Sequence, residues 1–146
     1  MTGAPRIGVD LVPLSRIPAL LDPESGPALH RMLSAEELRL ARTPDGAPDP
    51  ASIAGRLAAK EAVFKLFAAT GQTLPWLGTE ILRGPGGRPE VRLGGRAARL
   101  AERAGLGPID VSITHDGGYC IAVAVTTADT TPTPTSPTTP TAKGQP

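Results

Sequence analysis

Asp10 and Glu61 are the two side chains of this 146-residue chain best suited to catalysis. Asp10 stands in an apolar run, Ile7-Gly-Val-Asp-Leu11, and Glu61 in the middle of a long helical stretch. Each has an ordinary explanation. Asp10 fits an exposed strand position or a cap on the next helix, and Glu61 fits an i,i+4 ion pair with Lys65. Each also suits a metal. Two carboxylates with no histidine or cysteine nearby select a hard cation. Magnesium takes one or two protein carboxylates and completes its octahedron with water and phosphate oxygens. Arg56, Lys60 and Lys65 share the helical stretch with Glu61. A solvated face accounts well for Arg56 but poorly for Lys60, which falls in the apolar stripe beside Ile53. Cations next to a metal carboxylate are what a polyphosphate requires, the metal neutralising some oxygens and Lys or Arg the others. His115 and Asp116 belong to a His-Asp-Gly-Gly turn. Asp116 is there either for conformation or for chemistry. His115, with a reference pKa near neutrality, suits a phosphate donor or a proton shuttle. His30 reads as a surface residue. Cys120 reads as a buried strand residue, since no cation adjoins it to favour the thiolate.

The elements that hold these side chains follow from periodicity. Ile7, Val9 and Leu11 alternate with Gly8 and Asp10, which predicts a strand ending at Pro13. A short helix follows over 14–21, with Pro18 in a first turn or a kink. A second covers 28–33, and the capping box Ser34-Ala-Glu-Glu37 starts a third, to about Arg42. Residues 43–50, TPDGAPDP, form a loop. The longest helix is expected from about 50 to 70, closed by Gly71. At 100° per residue Ile53, Leu57 and Phe64 cluster with Lys60 among them, Glu61 lies at the edge, and Val63 and Leu66 cover the far side. That helix is expected to be central, where a Lys and a Glu are costly unless paired or liganded. A hairpin over 79–83 and 89–93 surrounds Gly84-Pro-Gly-Gly87. A helix over 96–104 with Leu100 inward stops at Gly105. Strands over 109–114 and 119–126 flank a turn at 115–118. This order predicts an α+β fold: a mainly antiparallel sheet packed against a long central helix in a small single-domain subunit.

Composition sets the outer limits. With 40% hydrophobic residues, 20% charged residues and a net charge of +1, the chain supports one core and lacks the basic excess of a general nucleic-acid binder. No apolar run approaches a membrane span, and residues 1–6 do not look like a secretory signal. The single cysteine excludes an internal disulfide, and no Cys/His spacing suggests zinc. The expected compartment is the cytoplasm. Residues 127–146 hold eight Thr and five Pro, too little apolar surface to offset chain entropy. The expected division is a domain over 1–126 and a disordered tail over 127–146. With only 3% aromatic residues the core must be small and aliphatic, a type often completed by oligomerisation.

Five segments together resemble a known family. Ile7-Gly-Val-Asp-Leu-Val-Pro-Leu-Ser-Arg-Ile17 resembles the N-terminal motif of the holo-acyl carrier protein synthases, the short 4′-phosphopantetheinyl transferases. Gly55-Arg-Leu-Ala-Ala-Lys-Glu-Ala-Val-Phe-Lys65 is similar to their second signature, and Pro75-Trp-Leu-Gly-Thr-Glu-Ile81 to the segment that follows. Gly87-Arg-Pro-Glu-Val91 and Val111-Ser-Ile-Thr-His-Asp-Gly-Gly-Tyr119 look like the last two. Each motif alone is weak, but five in register are specific.

The resemblance implies the 4′-phosphopantetheinyl transferase fold and a reaction. The phosphopantetheine arm of coenzyme A moves to a serine of apo-acyl carrier protein, releasing adenosine 3′,5′-bisphosphate, with Mg2+ as cofactor. It implies that Asp10 and Glu61 bind the metal, that Lys60 and Lys65 lie near the coenzyme phosphates, and that Arg56 and His115 lie around the adenosine phosphates. Lys65 would steady the leaving oxygen. The serine proton has three candidate acceptors: Glu61, a metal-bound water, or the His115/Asp116 turn. The water is favoured, because a metal-ligating glutamate is a poor base. Arg16 and Arg31 match carrier-binding arginines, the alternative being ordinary surface arginines. The family's small members are homotrimers, and the carriers serve fatty-acid, polyketide or peptide synthesis. No nucleic acid or membrane is expected as a partner. Two rival readings remain: a metal-dependent phosphodiesterase using Asp10 and Glu61, and a non-enzymatic coenzyme-binding module.

Overall fold

A computed structural model describes residues 4–68 and 71–128. The expected tail from 129 onward and position 70 lie outside the described residues. Strands β1 (Pro5–Pro13), β4 (Leu106–Asp116) and β5 (Tyr119–Ala128) form an antiparallel sheet in the order β1-β5-β4. Strands β2 (Thr79–Arg83) and β3 (Pro89–Leu93) form a separate hairpin. Five helices complete the described chain: α1 (Ile17–Leu21), α2 (Ala28–Met32), α3 (Ala35–Leu40), α4 (Pro50–Phe67) and α5 (Gly95–Arg103). None of them is long and apolar enough to cross a membrane.

Helix α4 lies across one face of the sheet, and small side chains let it lie close. Cys120, Ala122 and Ala124 of β5 and Val12 of β1 are buried beneath it. Gly8 marks the tightest approach: a Cβ there would meet the Ala62 carbonyl oxygen at 2.0 Å. The Asp49 side chain caps α4 by accepting the Ala51 amide at 3.1 Å, and Pro50 opens its first turn. The expected closure by Gly71 is corrected. Burial of Leu66 and Phe67 draws the end of α4 into the core, and the helix stops there with Ala68 left-handed at φ 50°. Trp76 meets Phe64 edge-on at 4.9 Å.

The opposite face of the sheet is apolar and uncovered. Ile7, Val9 and Leu11 of β1 and Tyr119, Ile121, Val123 and Val125 of β5 are between 39% and 69% exposed. The alternation read from β1 therefore directs its larger apolar side chains away from α4. Its glycine, Asp10 and Val12 face the helix.

The second hairpin also departs from expectation. Gly117 and Gly118, at φ 56° and 83°, make the turn by themselves. His115 and Asp116 are accordingly the last residues of β4, paired with Cys120 and Tyr119, and not part of the turn. At its other end β5 runs past position 126, Thr127 pairing with Pro5 and Ala128 with Leu106.

Candidate active site

The pleat of β1 turns Asp10 toward α4, where Glu61 meets it. Lys65 Nζ lies 3.2 Å from Asp10 Oδ1 and donates to the Val9 carbonyl. Arg16 Nη1 lies 4.0 Å from Glu61 Oε1. Burial pushes the Glu61 carboxyl above the usual carboxylate range. The Asp10 charge and a hydrogen bond between the two side chains push it further, against the pull of Arg16 and Lys65. A buried carboxyl raised by a neighbouring carboxylate favours a cation between the two. The donors are oxygen only, and no group of three or more His, Cys, Asp or Glu exists among the described residues. That set fits magnesium, which needs few protein ligands, and does not fit zinc.

A second cluster lies farther along α4. Arg56 is buried, donating from Nε to the Ile81 carbonyl at 3.1 Å and from Nη1 to Ser52. With Ser52, Gly55, Arg83, Ile113 and His115 it lines a cavity of about 370 Å³. Burial lowers the Arg56 pKa below that of an ordinary arginine, and the Arg83 charge lowers it further, against the pull of Glu37 and Asp49. Such a site gains by accepting an anion. Arg56 and Glu61 are five residues apart, so they leave α4 about 140° from one another. Strand β5 stands between Asp10 on β1 and His115 on β4. One chain therefore carries two half-sites on different flanks of the same helix.

One expectation is corrected. Lys60 is fully buried and its ammonium is committed: to Glu37 Oε2 at 2.7 Å, the Met32 carbonyl at 2.6 Å and the Trp76 carbonyl at 2.8 Å. With three donors so used, none remains for a coenzyme phosphate. Asp116 is exposed on the face of β4 opposite His115, and its Oδ1 accepts the Gly117 amide at 2.8 Å. That bond supports the turn. Arg31 is exposed on α2. Arg16 is exposed too, but its ion pair brings it to the rim of the carboxylate cluster.

Sequence reasoning missed Glu37 and Arg83. The capping box named Glu37 as a partner of Ser34, but nothing local announces its second bond to Lys60. Arg83 ends a hairpin strand, and only tertiary packing sets it beside Arg56.

Comparison with known proteins places the chain in a family. Residues 6–124 match the family model of the 4′-phosphopantetheinyl transferase superfamily. A holo-[acyl-carrier-protein] synthase of Frankia casuarinae is 42% identical over 119 residues, which cover 82% of this chain and 93% of that protein. The crystal structure of Helicobacter pylori holo-[acyl-carrier-protein] synthase in complex with coenzyme A aligns with a TM-score of 0.69 at 30% identity, covering 83% of this chain and 99% of that one. A holo-(acyl-carrier-protein) synthase from Bacillus anthracis in complex with CoA (3′,5′-ADP) aligns with a TM-score of 0.62 at 26% identity, covering 84% and 96%.

Proposed function

The chain belongs to the 4′-phosphopantetheinyl transferase superfamily, and on that premise we propose that it is a holo-[acyl-carrier-protein] synthase. It transfers the 4′-phosphopantetheine of coenzyme A to a serine of apo-acyl carrier protein and releases adenosine 3′,5′-bisphosphate. The observation that carries the reading at residue level is the convergence of Asp10 and Glu61 beside Lys65, with a cationic cavity at Arg56 and His115 on the other flank of α4.

Asp10 and Glu61 would hold Mg2+, which would supply charge to neutralise oxygens of the coenzyme diphosphate. Lys65 adds a positive charge beside Asp10, where the leaving phosphate gathers negative charge. Arg56 and His115, helped by Arg83, take the remaining nucleotide phosphate. The hydrogen bonds from Arg56 to Ile81 and Ser52 orient its guanidinium before the ligand arrives. The serine hydroxyl attacks the phosphorus that bears pantetheine. The bond from that phosphorus to the bridging oxygen breaks, its electron pair leaves with adenosine 3′,5′-bisphosphate, and the serine proton passes to water at the site. Arg16, exposed at the rim of the carboxylates, and Arg31 on α2 meet the acidic face of the carrier.

The active unit is a homotrimer in the cytoplasm. The uncovered apolar sheet face supports burial against further copies. The two half-sites on different flanks of α4 support a site completed between neighbours.

Incubation with coenzyme A, Mg2+ and apo-carrier, followed by mass spectrometry of the carrier, tests the reaction. A metal-dependent phosphopantetheine adduct is expected. Hydrolysed coenzyme without adduct would indicate a phosphodiesterase instead, and binding without product a coenzyme-binding module.

A further inference from the structure

The buried pair of Glu37 and Lys60 belongs to a closed polar circuit that takes in Arg56 on one flank of α4 and lies one residue from Glu61 on the other. Glu37 Oε2 accepts the Lys60 ammonium at 2.7 Å and the Ser34 amide at 2.8 Å. Glu37 Oε1 accepts the Ile81 amide at 2.8 Å. The Ile81 carbonyl in turn accepts Arg56 Nε at 3.1 Å. Ile81 faces Val91 across the β2–β3 hairpin, and both of its backbone groups point away from β3 into this circuit. Arg56 and Lys60 are one helical turn apart, which closes the loop. Lys60 also ties α4 to the end of α2 and to the segment before β2 through the Met32 and Trp76 carbonyls.

Helix α4 is buried on nearly every side, and its own buried side chains are mostly apolar. Apolar contact of that kind sets its depth in the core but discriminates weakly among rotations about its axis. Directional bonds to a charged pair do discriminate. Stability alone does not explain the pair, because apolar residues of similar size often replace a buried ion pair without loss.

We propose that Glu37 and Lys60 are positioning residues for the transfer reaction. Their circuit sets the rotation of α4 at which Glu61, the residue after Lys60, faces Asp10 while Arg56 faces the cavity. The inference rests on the reading that Asp10 and Glu61 hold a divalent cation and that Arg56 meets the coenzyme.

The test uses the double variant Glu37→Gln/Lys60→Met, which removes both charges and keeps an acceptor for the Ile81 amide. Thermal unfolding establishes that it is folded. Mn2+ affinity without coenzyme, followed by electron paramagnetic resonance, and coenzyme A affinity, followed by calorimetry, are then compared with the parent. Both are expected to weaken about tenfold, the scale seen when the partners behind metal ligands are removed. A folded double variant that keeps both affinities within twofold would overturn the proposal. Should the double variant not fold, Glu37→Gln alone is read by the same two affinities and the same twofold limit. Asp10→Asn serves as control: if it binds Mn2+ like the parent, the metal reading has failed, and coenzyme affinity by itself decides the positioning role.

Discussion

Lys60 has no exposed surface and three acceptors around its ammonium, whereas Glu61, the next residue, keeps 30% of its side chain exposed and faces a second carboxylate. A step of about 100° around one helix separates a charge spent inside the molecule from a charge left under-neutralised at its surface. The contrast teaches how to read a charged pair in a buried helix. The satisfied member builds the scaffold, and the unsatisfied member is the one with chemistry to offer. A lysine in an apolar stripe therefore signals an internal acceptor before it signals a ligand.

The largest effect should come from the unsatisfied side. Asp10→Asn or Glu61→Gln is expected to lower the transfer rate at saturating magnesium by about 100-fold or more, while the fold is retained. Full turnover in Glu61→Gln would remove both its ligand role and any role as base. The satisfied side should respond in the opposite manner. Lys60→Met alone leaves Glu37 buried without its counter-charge, and urea unfolding should show a loss of about 3–5 kcal/mol. A change near zero would mean that the pair is not a scaffold contact at all.

Acidity sharpens the same contrast. Burial and Asp10 hold the Glu61 carboxyl above its unfolded value, so the folded protein without metal binds this proton more tightly than the unfolded chain. Its stabilising contribution is complete below the unfolded carboxylate pKa and is lost as pH rises through the folded one. Metal must displace the same proton, so Mn2+ affinity should fall as pH drops through the raised Glu61 range, by up to tenfold per unit. In Glu61→Gln the stability trend from this group should vanish. The smallest effect belongs to the rim. Arg16→Glu should raise the carrier KM a few-fold and weaken its salt dependence while coenzyme affinity holds, because an exposed pair at 4.0 Å adds little to stability. An equal loss for both substrates would place Arg16 among the coenzyme contacts instead.

Much of this was legible in the residues. Period-two alternation located β1, and the glycine-proline punctuation located the β2–β3 hairpin at its observed bounds. The wheel of α4 already set Lys60 inside and Glu61 at the edge. What stayed hidden was long-range. Glu37 and Lys60 are 23 positions apart and meet only after α3 packs on α4, so no local pattern reveals their bond. The end of α4 departs from expectation because glycine is the usual left-handed terminator, whereas here Ala68, after the buried Phe67, takes that conformation. His115 and Asp116 were assigned to a turn because the dipeptide Asp-Gly marks one so often, yet two glycines sufficed.

The bare apolar panel on β1 and β5 would, as an interface between copies, tie catalysis to abundance. If copies of the chain must seal that panel against each other, specific activity becomes a function of protein concentration. Dilution then silences the enzyme by disassembly while every catalytic side chain is still in its own subunit, and a polar substitution at Val9 would act at a distance as dilution does.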